Sequence, residues 1–430
     1  MLNRLVAFLS VAILAALGAP SMSHAAVSEP AFSAINAEAL WDRGYFGEGA
    51  SIAFIDQGVN LNHEYFQGEV IDGFCLYSSE SINLCPNRTK SQTGAEAASQ
   101  RIQNRRLVAA ENHGNMVAGI AAGKPNVRAP GGVAPQAKIV MANIDLTLEG
   151  ITKATQYILD NAEKNNTAAL SLSFGGLFRE IPRSWLQCDQ NPGLEELAGL
   201  FKQLRDKGVI TFASAGNTPT LDVATSVFPS CLQEVVAVGS VNQRNEISWY
   251  VTMSQKIELL APDYALSADT TGYQISSGTS AAAPLVAGAF TLLRTAFPAA
   301  SSEEILQAMK ATGVPVDDVL RKDIPVVDLA AAYRQLSSAT IPAAPVLKAP
   351  VEQKVSIGVF DGYVAIYTKG YEGKRLSIKI GGSWVVIDSI ETSPGKPYSL
   401  TKRKVGPNQR IAVEVYIDRK LVAKSSVLTR

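Results

Sequence analysis

From about residue 50 the chain alternates short, wholly apolar runs with longer amphipathic ones. "ASIAFIDQG" reads as a strand ending at Asp56, with Gly58 free to turn the chain. "HGNMVAGIAAG" reads as a helix of small and apolar residues that starts at His113, with Asn112 as its cap. "AKIVMANI" predicts a strand and "GITKATQYILDNAEK" an amphipathic helix. "AALSLSFGG" predicts a strand closing on two glycines, and "NPGLEELAGLFKQLRDKG" a helix stopped by Gly208. "VITFASAGN" is a strand ending at Asn217, and "EVVAVGSVN" is another. A helix in "SSGTSAAAPLVAGAF" follows, then helices in "SSEEILQAMKATG" and "PVVDLAAAYRQL". Strands apolar throughout and separated by helices predict an α/β fold, a mostly parallel sheet covered by helices on both faces. In such sheets, sites form beyond the carboxyl ends of the strands. Asp56, Gly175, Gly176 and Asn217 fall at those ends, and His113 and Ser280 at helix starts on the same edge.

The rhythm changes after residue 337. Residues 338–350, "SATIPAAPVLKAP", read as a Pro/Ala linker. Beyond it, "KVSIGVF", "YVAIYTK", "RLSIKI", "SWVVIDSI" and "RIAVEVYI" alternate apolar and polar residues, predicting a small all-β, sandwich-like domain over 351–430. Its basic residues Lys402, Arg403, Lys404, Arg419 and Lys420 read as a solvated face, with attachment to an acidic surface or substrate as the alternative. The first 25 residues have a basic Arg4, an apolar core from Leu5 to Leu17, and Ser23 and Ala25 at A-x-A spacing. They read as a signal peptide, so the expected location is secreted or periplasmic. That leaves residues 26–337 for the α/β domain.

Composition adds limits. The chain is 47% hydrophobic and 18% charged, with 39 basic against 39 acidic residues, and this balance gives no hint of a nucleic-acid partner, so none is expected. Export makes the four cysteines readable as disulfides. The favoured pairs are Cys75–Cys85 and Cys188–Cys231, with four free thiols as the alternative. Scarce histidine and no C-x-x-C argue against a metal site. Only His24, His63 and His113 exist, and His24 leaves with the signal.

Ser280 begins the apolar helix, so Thr279 or Ser280 could simply cap it; the sharper reading makes Ser280 a nucleophile. A serine nucleophile needs a base, and both remaining histidines precede Ser280. That excludes the α/β-hydrolase order, in which histidine follows serine. The trypsin-like order fits by position but lacks its Gly-rich serine loop, which leaves Asp, then His, then Ser.

Six stretches carry a resemblance: "IAFIDQGVNLNHEYF", "ENHGNMVAGIAAG", "SLSFGG", "ITFASAGN", "VFPSCLQEVVAVGSVN" and "SSGTSAAAPLVAGAF". In this order they resemble the subtilisin-like serine protease family (subtilases), over roughly residues 35–337. The resemblance implies a secreted serine endopeptidase acting on proteins or peptides, with Asp56, His113 and Ser280 catalytic. Asn217 and the Ser280 backbone would form the oxyanion hole. Ser173, Phe174, Gly175 and Gly176, with Ser214, Ala215 and Gly216, would hold the substrate. The chemistry would need no cofactor, and a structural calcium is left open. The family's frequent calcium-ligand aspartate, shortly after His63, is Tyr65 here, so that site is not carried over. His63 itself reads as structural.

Other departures are Asn115 for the usual Thr, Ala281 for the usual Met, and Asp-Gln-Gly at the aspartate. They support the alternative, an inactive binding protein working through its C-terminal domain. The stretch between Asp56 and His113 is longer than in compact members, and predicts a disulfide-pinned surface excursion. Residues 26–55 suffice for the family's N-terminal arm and no more, so folding without an N-terminal pro-domain is expected. Small residues such as Gly288 would let the Ser280 helix pack closely. Activity should fall as His113 protonates, at about pH 6 to 7.

Overall fold

The structure is a computed structural model that describes residues 29–340 apart from 79–80, 82, 101, 104–105, 108–111, 176–187, 220–225 and 319, and strand segments between 354 and 428. The signal peptide, Gly176, the linker from residue 341, and Lys402, Arg403, Lys404 and Arg419 lie outside the described residues.

The strands are β1 (Ser51–Asp56), β2 (Val70–Leu76), β3 (Ser91–Thr93), the short pair β4 (Ile102–Gln103) and β5 (Arg106–Leu107), β6 (Lys138–Ile144), β7 (Thr167–Leu172), β8 (Ile210–Ser214), β9 (Val235–Val241), β10 (Ile257–Pro262), β11 (Tyr264–Ala268), β12 (Tyr273–Ser277), β13 (Val314–Val316) and β14 (Ile324–Val326). The helices are α1 (Pro30–Ala34), α2 (Glu38–Trp41), α3 (His113–Ala122), α4 (Leu148–Asn161), α5 (Glu195–Asp206), α6 (Thr279–Ala296), α7 (Ser302–Thr312) and α8 (Leu329–Thr340).

One sheet in the order β13-β14-β10-β9-β8-β7-β1-β6-β2-β3 organises the chain. Every pairing from β14 to β2 is parallel, and the two edge strands are antiparallel. Each central strand is apolar on both sides because each side meets helices. Ile52 and Phe54 of β1 join α3, α6, α7 and α8 in one core, while Ala53 and Ile55 join α4 and α5 in the other. The all-apolar runs therefore encode two cores rather than one.

Boundaries moved where local chemistry outweighed hydrophobic rhythm. Pro325 and Val326, expected to open the last helix, belong to β14; α8 starts at Leu329 and runs through Thr340, three residues into the predicted linker. The stretch around Cys85 is less detached than a surface excursion. β3 pairs with β2 to form the sheet edge, and the Cys75–Cys85 disulfide pins it there. Beyond residue 340 the described strands pair antiparallel in one three-stranded and one four-stranded sheet. No helix among the described residues is long and apolar enough to cross a membrane.

Helix α6 runs through the core with 14 of its 18 residues buried. It approaches α3 and the Val133 loop closely, because a Cβ at Gly288 would lie 2.8 Å from Val133 Cβ and 3.1 Å from the Ala121 carbonyl oxygen. Gly288→Ala should therefore force the two helices apart and cost about 1–3 kcal/mol. An unchanged urea midpoint for that variant would contradict this packing.

Candidate active site

The β1 strand ends at Asp56, whose side chain is only 2% exposed. A buried carboxylate needs partners. Asp56 has the Gln57 amide on Oδ1 at 2.8 Å, and His113 Nδ1 at 3.0 Å from Oδ1 and 2.8 Å from Oδ2. A carboxylate acceptor fixes the tautomer: Nδ1 carries the proton and Nε2 is left as the basic nitrogen. Burial alone would pull the pKa of His113 down, but the Asp56 charge and hydrogen bond outweigh it and hold the imidazole above its ordinary value.

Two glycines make this contact geometrically feasible. Gly58 turns the chain after Asp56 with φ +81°. A Cβ at Gly114 would sit 2.0 Å from the Gly58 carbonyl oxygen, so no side chain fits there. Asn115 then fastens the same two segments. Its Oδ1 accepts from the Asn60 amide at 2.6 Å, and its Nδ2 donates to Gln100 Oε1 at 2.9 Å and Asn112 Oδ1 at 3.3 Å. Asn112, expected as a cap, makes no side-chain cap bond; its Oδ1 accepts from Asn115 Nδ2 instead.

Ser280 arrives from the other side. The register of β1 with β7 pairs Phe54 with Ser171, which sets Ser173 level with Asp56 on the adjacent strand. Ser280 and Ser173 are bonded twice: Ser280 Oγ donates to the Ser173 carbonyl at 2.9 Å, and Ser173 Oγ donates to the Ser280 carbonyl at 2.9 Å. The second bond accounts for Pro284. Proline has no N–H to give the carbonyl four residues earlier, so the Ser280 carbonyl is free for the Ser173 hydroxyl.

Neither Thr279 nor Ser280 caps α6, since the cap position is Gly278 at φ +112° with no side-chain bond. Thr279 instead gives both its amide (2.9 Å) and its hydroxyl (2.8 Å) to Asn217 Oδ1. Because both partners donate, the Asn217 amide is oriented with Oδ1 inward and Nδ2 free. The Ser280 amide and Asn217 Nδ2 have no acceptor among the described residues. Two unengaged donors thus stand at the first turn of α6, its positive end.

The remaining predicted residues divide. Ser173, Ser214 and Ala215 are buried, so they can offer only backbone to a ligand; Phe174 is half-buried against the α4–α5 core; Gly175 and Gly216 reach the surface. His63 is buried, with Nε2 on the Gly272 carbonyl at 2.8 Å and Nδ1 accepting from the Tyr65 amide at 3.1 Å. It is structural. Tyr65 is fully buried with its hydroxyl accepting from the Gly131 amide, and no metal-holding cluster occurs among the described residues. Cys75 pairs with Cys85 and Cys188 with Cys231. Sequence reasoning did not single out Gly114, Thr279 and Ser173 as partners of the reactive groups. The proline four residues after Ser280 was the one signal pointing to Ser173.

A sequence model of the subtilase family (peptidase S8) matches residues 47–331, which span the sheet and all of these groups. The chain belongs to the subtilase family. It is 26% identical to the major intracellular serine protease of Bacillus subtilis (strain 168), over 68% of this chain and 81% of that one. It is 29% identical to the thermophilic serine proteinase of Bacillus sp. (strain AK1), over 63% of this chain and 58% of that one. A solved structure of a protease from Pseudoalteromonas arctica PAMC 21717 superposes with a TM-score of 0.55 at 23% identity, covering 70% of this chain and 94% of that one. That likeness speaks to the fold. As a subtilase the chain is, by class, a serine protease and a hydrolase.

Asn115 offers a direct test of how the site is held. Asn115→Ala would leave the Asn60 amide without its acceptor and should cost about 1–3 kcal/mol. Stability within a few tenths of the parent by chemical denaturation would refute that role.

Proposed function

We propose that this subtilase is an exported endopeptidase in which Asp56, His113 and Ser280 act in series. The observation that carries the reading is the bond from His113 Nδ1 to the buried Asp56, which leaves Nε2 basic at the same sheet edge as the Ser280 hydroxyl. Ser280 Oγ rests on the Ser173 carbonyl. No hydrogen bond joins it to His113 among the described residues, so the reading requires the hydroxyl to leave that carbonyl for Nε2, by a turn about its Cα–Cβ bond into another staggered well.

The chemistry then follows from the groups present. His113 Nε2 takes the Ser280 proton as Oγ attacks the substrate carbonyl carbon, and returns it to the leaving amine. Asp56 holds the imidazole in one tautomer and stabilises the imidazolium. The oxyanion of the tetrahedral intermediate meets Asn217 Nδ2 and the Ser280 amide, donors already oriented and unengaged. Water then repeats the sequence on the acyl-enzyme. An extended substrate pairs its backbone with the chain at Ser173–Gly175 and Gly216, where glycines leave room for it. Every step uses groups of this chain, so no cofactor is proposed.

The departures that suggested a binding protein fit a catalytic one. Asn115 is fully bonded and Ala281 fully buried, so both fill structural places and neither intrudes on the hydroxyl. Export rests on the N-terminal signal pattern and on two disulfides, which form and persist in oxidising compartments.

Ser280→Ala should abolish both labelling by a fluorophosphonate probe and peptide cleavage, and persistent cleavage would reject the reading. Asn217→Ala should lower kcat by roughly a hundred- to thousandfold, a range measured for subtilisin itself and borrowed for this chain. His113 must be neutral to act, and its pKa lies above the ordinary 6.5. The acid limb of kcat/KM should therefore have its midpoint above 6.5, on the high side of the sequence expectation. A limb centred well below that value would contradict the coupling to Asp56.

A further inference from the structure

The two oxyanion donors of the proposed site are held very differently. The Ser280 amide belongs to the first turn of a buried helix, whereas Asn217 lies in an exposed turn after β8, followed by exposed Thr218 and Pro219. A donor stabilises a developing charge only if it is already in place when the charge forms. Thr279 fixes the rotation of the Asn217 side-chain amide by donating twice to Oδ1. It reaches the backbone there only through a long bond, from the Gly216 amide to Thr279 Oγ1 at 3.3 Å.

The backbone is held instead from the loop between β9 and β10. The Thr252 amide donates to the Gly216 carbonyl at 3.0 Å. Its hydroxyl donates to the Thr218 carbonyl at 2.8 Å and accepts from the Thr218 amide at 3.1 Å. Three bonds from one residue thus bracket Asn217 on both sides. Thr252 is buried, and its Oγ1 lies 2.7 Å from where a Cβ of Gly216 would be, so the hydroxyl packs directly on the chain it holds.

The same loop is tied to the segment that supplies the other donor. Ser248 and Tyr250 both donate to Asp263 Oδ2 at 2.7 Å. The Asp263 carbonyl accepts from the Gly278 amide at 2.8 Å, two residues before Ser280. At the far end of the loop Arg321 donates to the Ser254 carbonyl at 2.7 Å. Donors distant in sequence therefore hang from one frame.

We propose that Thr252 is a positioning residue for the oxyanion hole, holding the backbone on either side of Asn217 and so setting where Nδ2 meets the developing charge. The proposal rests on the reading of Asn217 as oxyanion donor. Thr252 itself touches no reacting atom, and its effect runs through Asn217. Without the hydroxyl, the amide and carbonyl of exposed Thr218 turn to water, so the Asn217 backbone gains freedom at little cost to the fold.

The test uses the full chain and one peptide p-nitroanilide. Active sites are counted from the end point of fluorophosphonate labelling, so partial misfolding does not enter kcat. Thr252→Val keeps the shape and the backbone amide but removes both hydroxyl bonds. It should lower kcat about tenfold while KM stays within about twofold, the split expected of a contact made only in the transition state. Thr252→Ser, which keeps the hydroxyl, should recover most of the lost rate. In an Asn217→Ala background, Thr252→Val should change kcat by less than about twofold, because the donor it positions is gone. A Thr252→Val rate close to the parent's, or a loss of equal size with and without Asn217, would overturn the proposal. Should the valine variant not fold, Thr252→Ala against Thr252→Ser makes the same comparison. The Asn217→Ala enzyme separates the two levels. A kcat matching the parent's there defeats the oxyanion reading and this proposal with it; a large loss there beside an indifferent Thr252→Val defeats this proposal alone.

Discussion

The site depends on a buried carboxylate that only one histidine can satisfy. Asp56 is nearly sealed from water, and an unpaired charge there would cost more than a domain of this kind can spare. Its position is set by the parallel sheet, which ends β1 at that residue. Its partner is set by α3, which can come close to the Gly58 backbone only because Gly114 lacks a side chain. Asn115 then bonds across the same contact. A hydrogen bond that shifts a pKa thus rests on van der Waals packing between two glycines.

Much of this was legible in the chain, for identifiable reasons. A parallel sheet with both faces covered makes its strands apolar throughout, and the chain shows that pattern at β1, β6, β7, β8 and β9. Strand ends are where such sheets place their reactive groups, so Asp56 and Asn217 stood out by position. What stayed hidden involved partners far apart in sequence. Thr279 looked like a cap, because local sequence shows a hydroxyl before an apolar run. Only the fold shows that Asn217 competes for it. Asn115 looked like a defect against the family pattern. It reads differently once Asn60 and Gln100 are seen on either side of it. Strands β2, β3 and β10 to β14 were missed for another reason: β3, β13 and β14 have only three residues each, and polar residues or prolines break the apolar run of the others.

The second disulfide shows how a distant constraint reaches the reactive edge. Cys188 and Cys231 close a loop over the start of α5. The Cys231 amide in turn holds the Val227 carbonyl, and a Val227 methyl lies close to both Gly175 and Gly216. A covalent bond that looks purely stabilising also steadies the chain beside the ends of β7 and β8. This loop is tied at its base to the segment that holds Gly175 and Gly216.

The resting position of Ser280 also makes physical sense. Its hydroxyl is half-buried and must donate to something, and the Ser173 carbonyl is the acceptor within reach. A neutral bond of this kind is worth about 1 kcal/mol net, so exchanging it for a bond to imidazole costs little. The reciprocal bond from the Ser173 hydroxyl to the Ser280 carbonyl survives that exchange, because it uses backbone on the helix side. In the proposed mechanism the first turn of α6 would therefore stay anchored while the hydroxyl moves. Pro284 completes the arrangement: an N–H at that position would compete for the same carbonyl and weaken the anchor. The sequence gives up a helix hydrogen bond to hold the first turn of α6, Ser280 included, at the sheet edge.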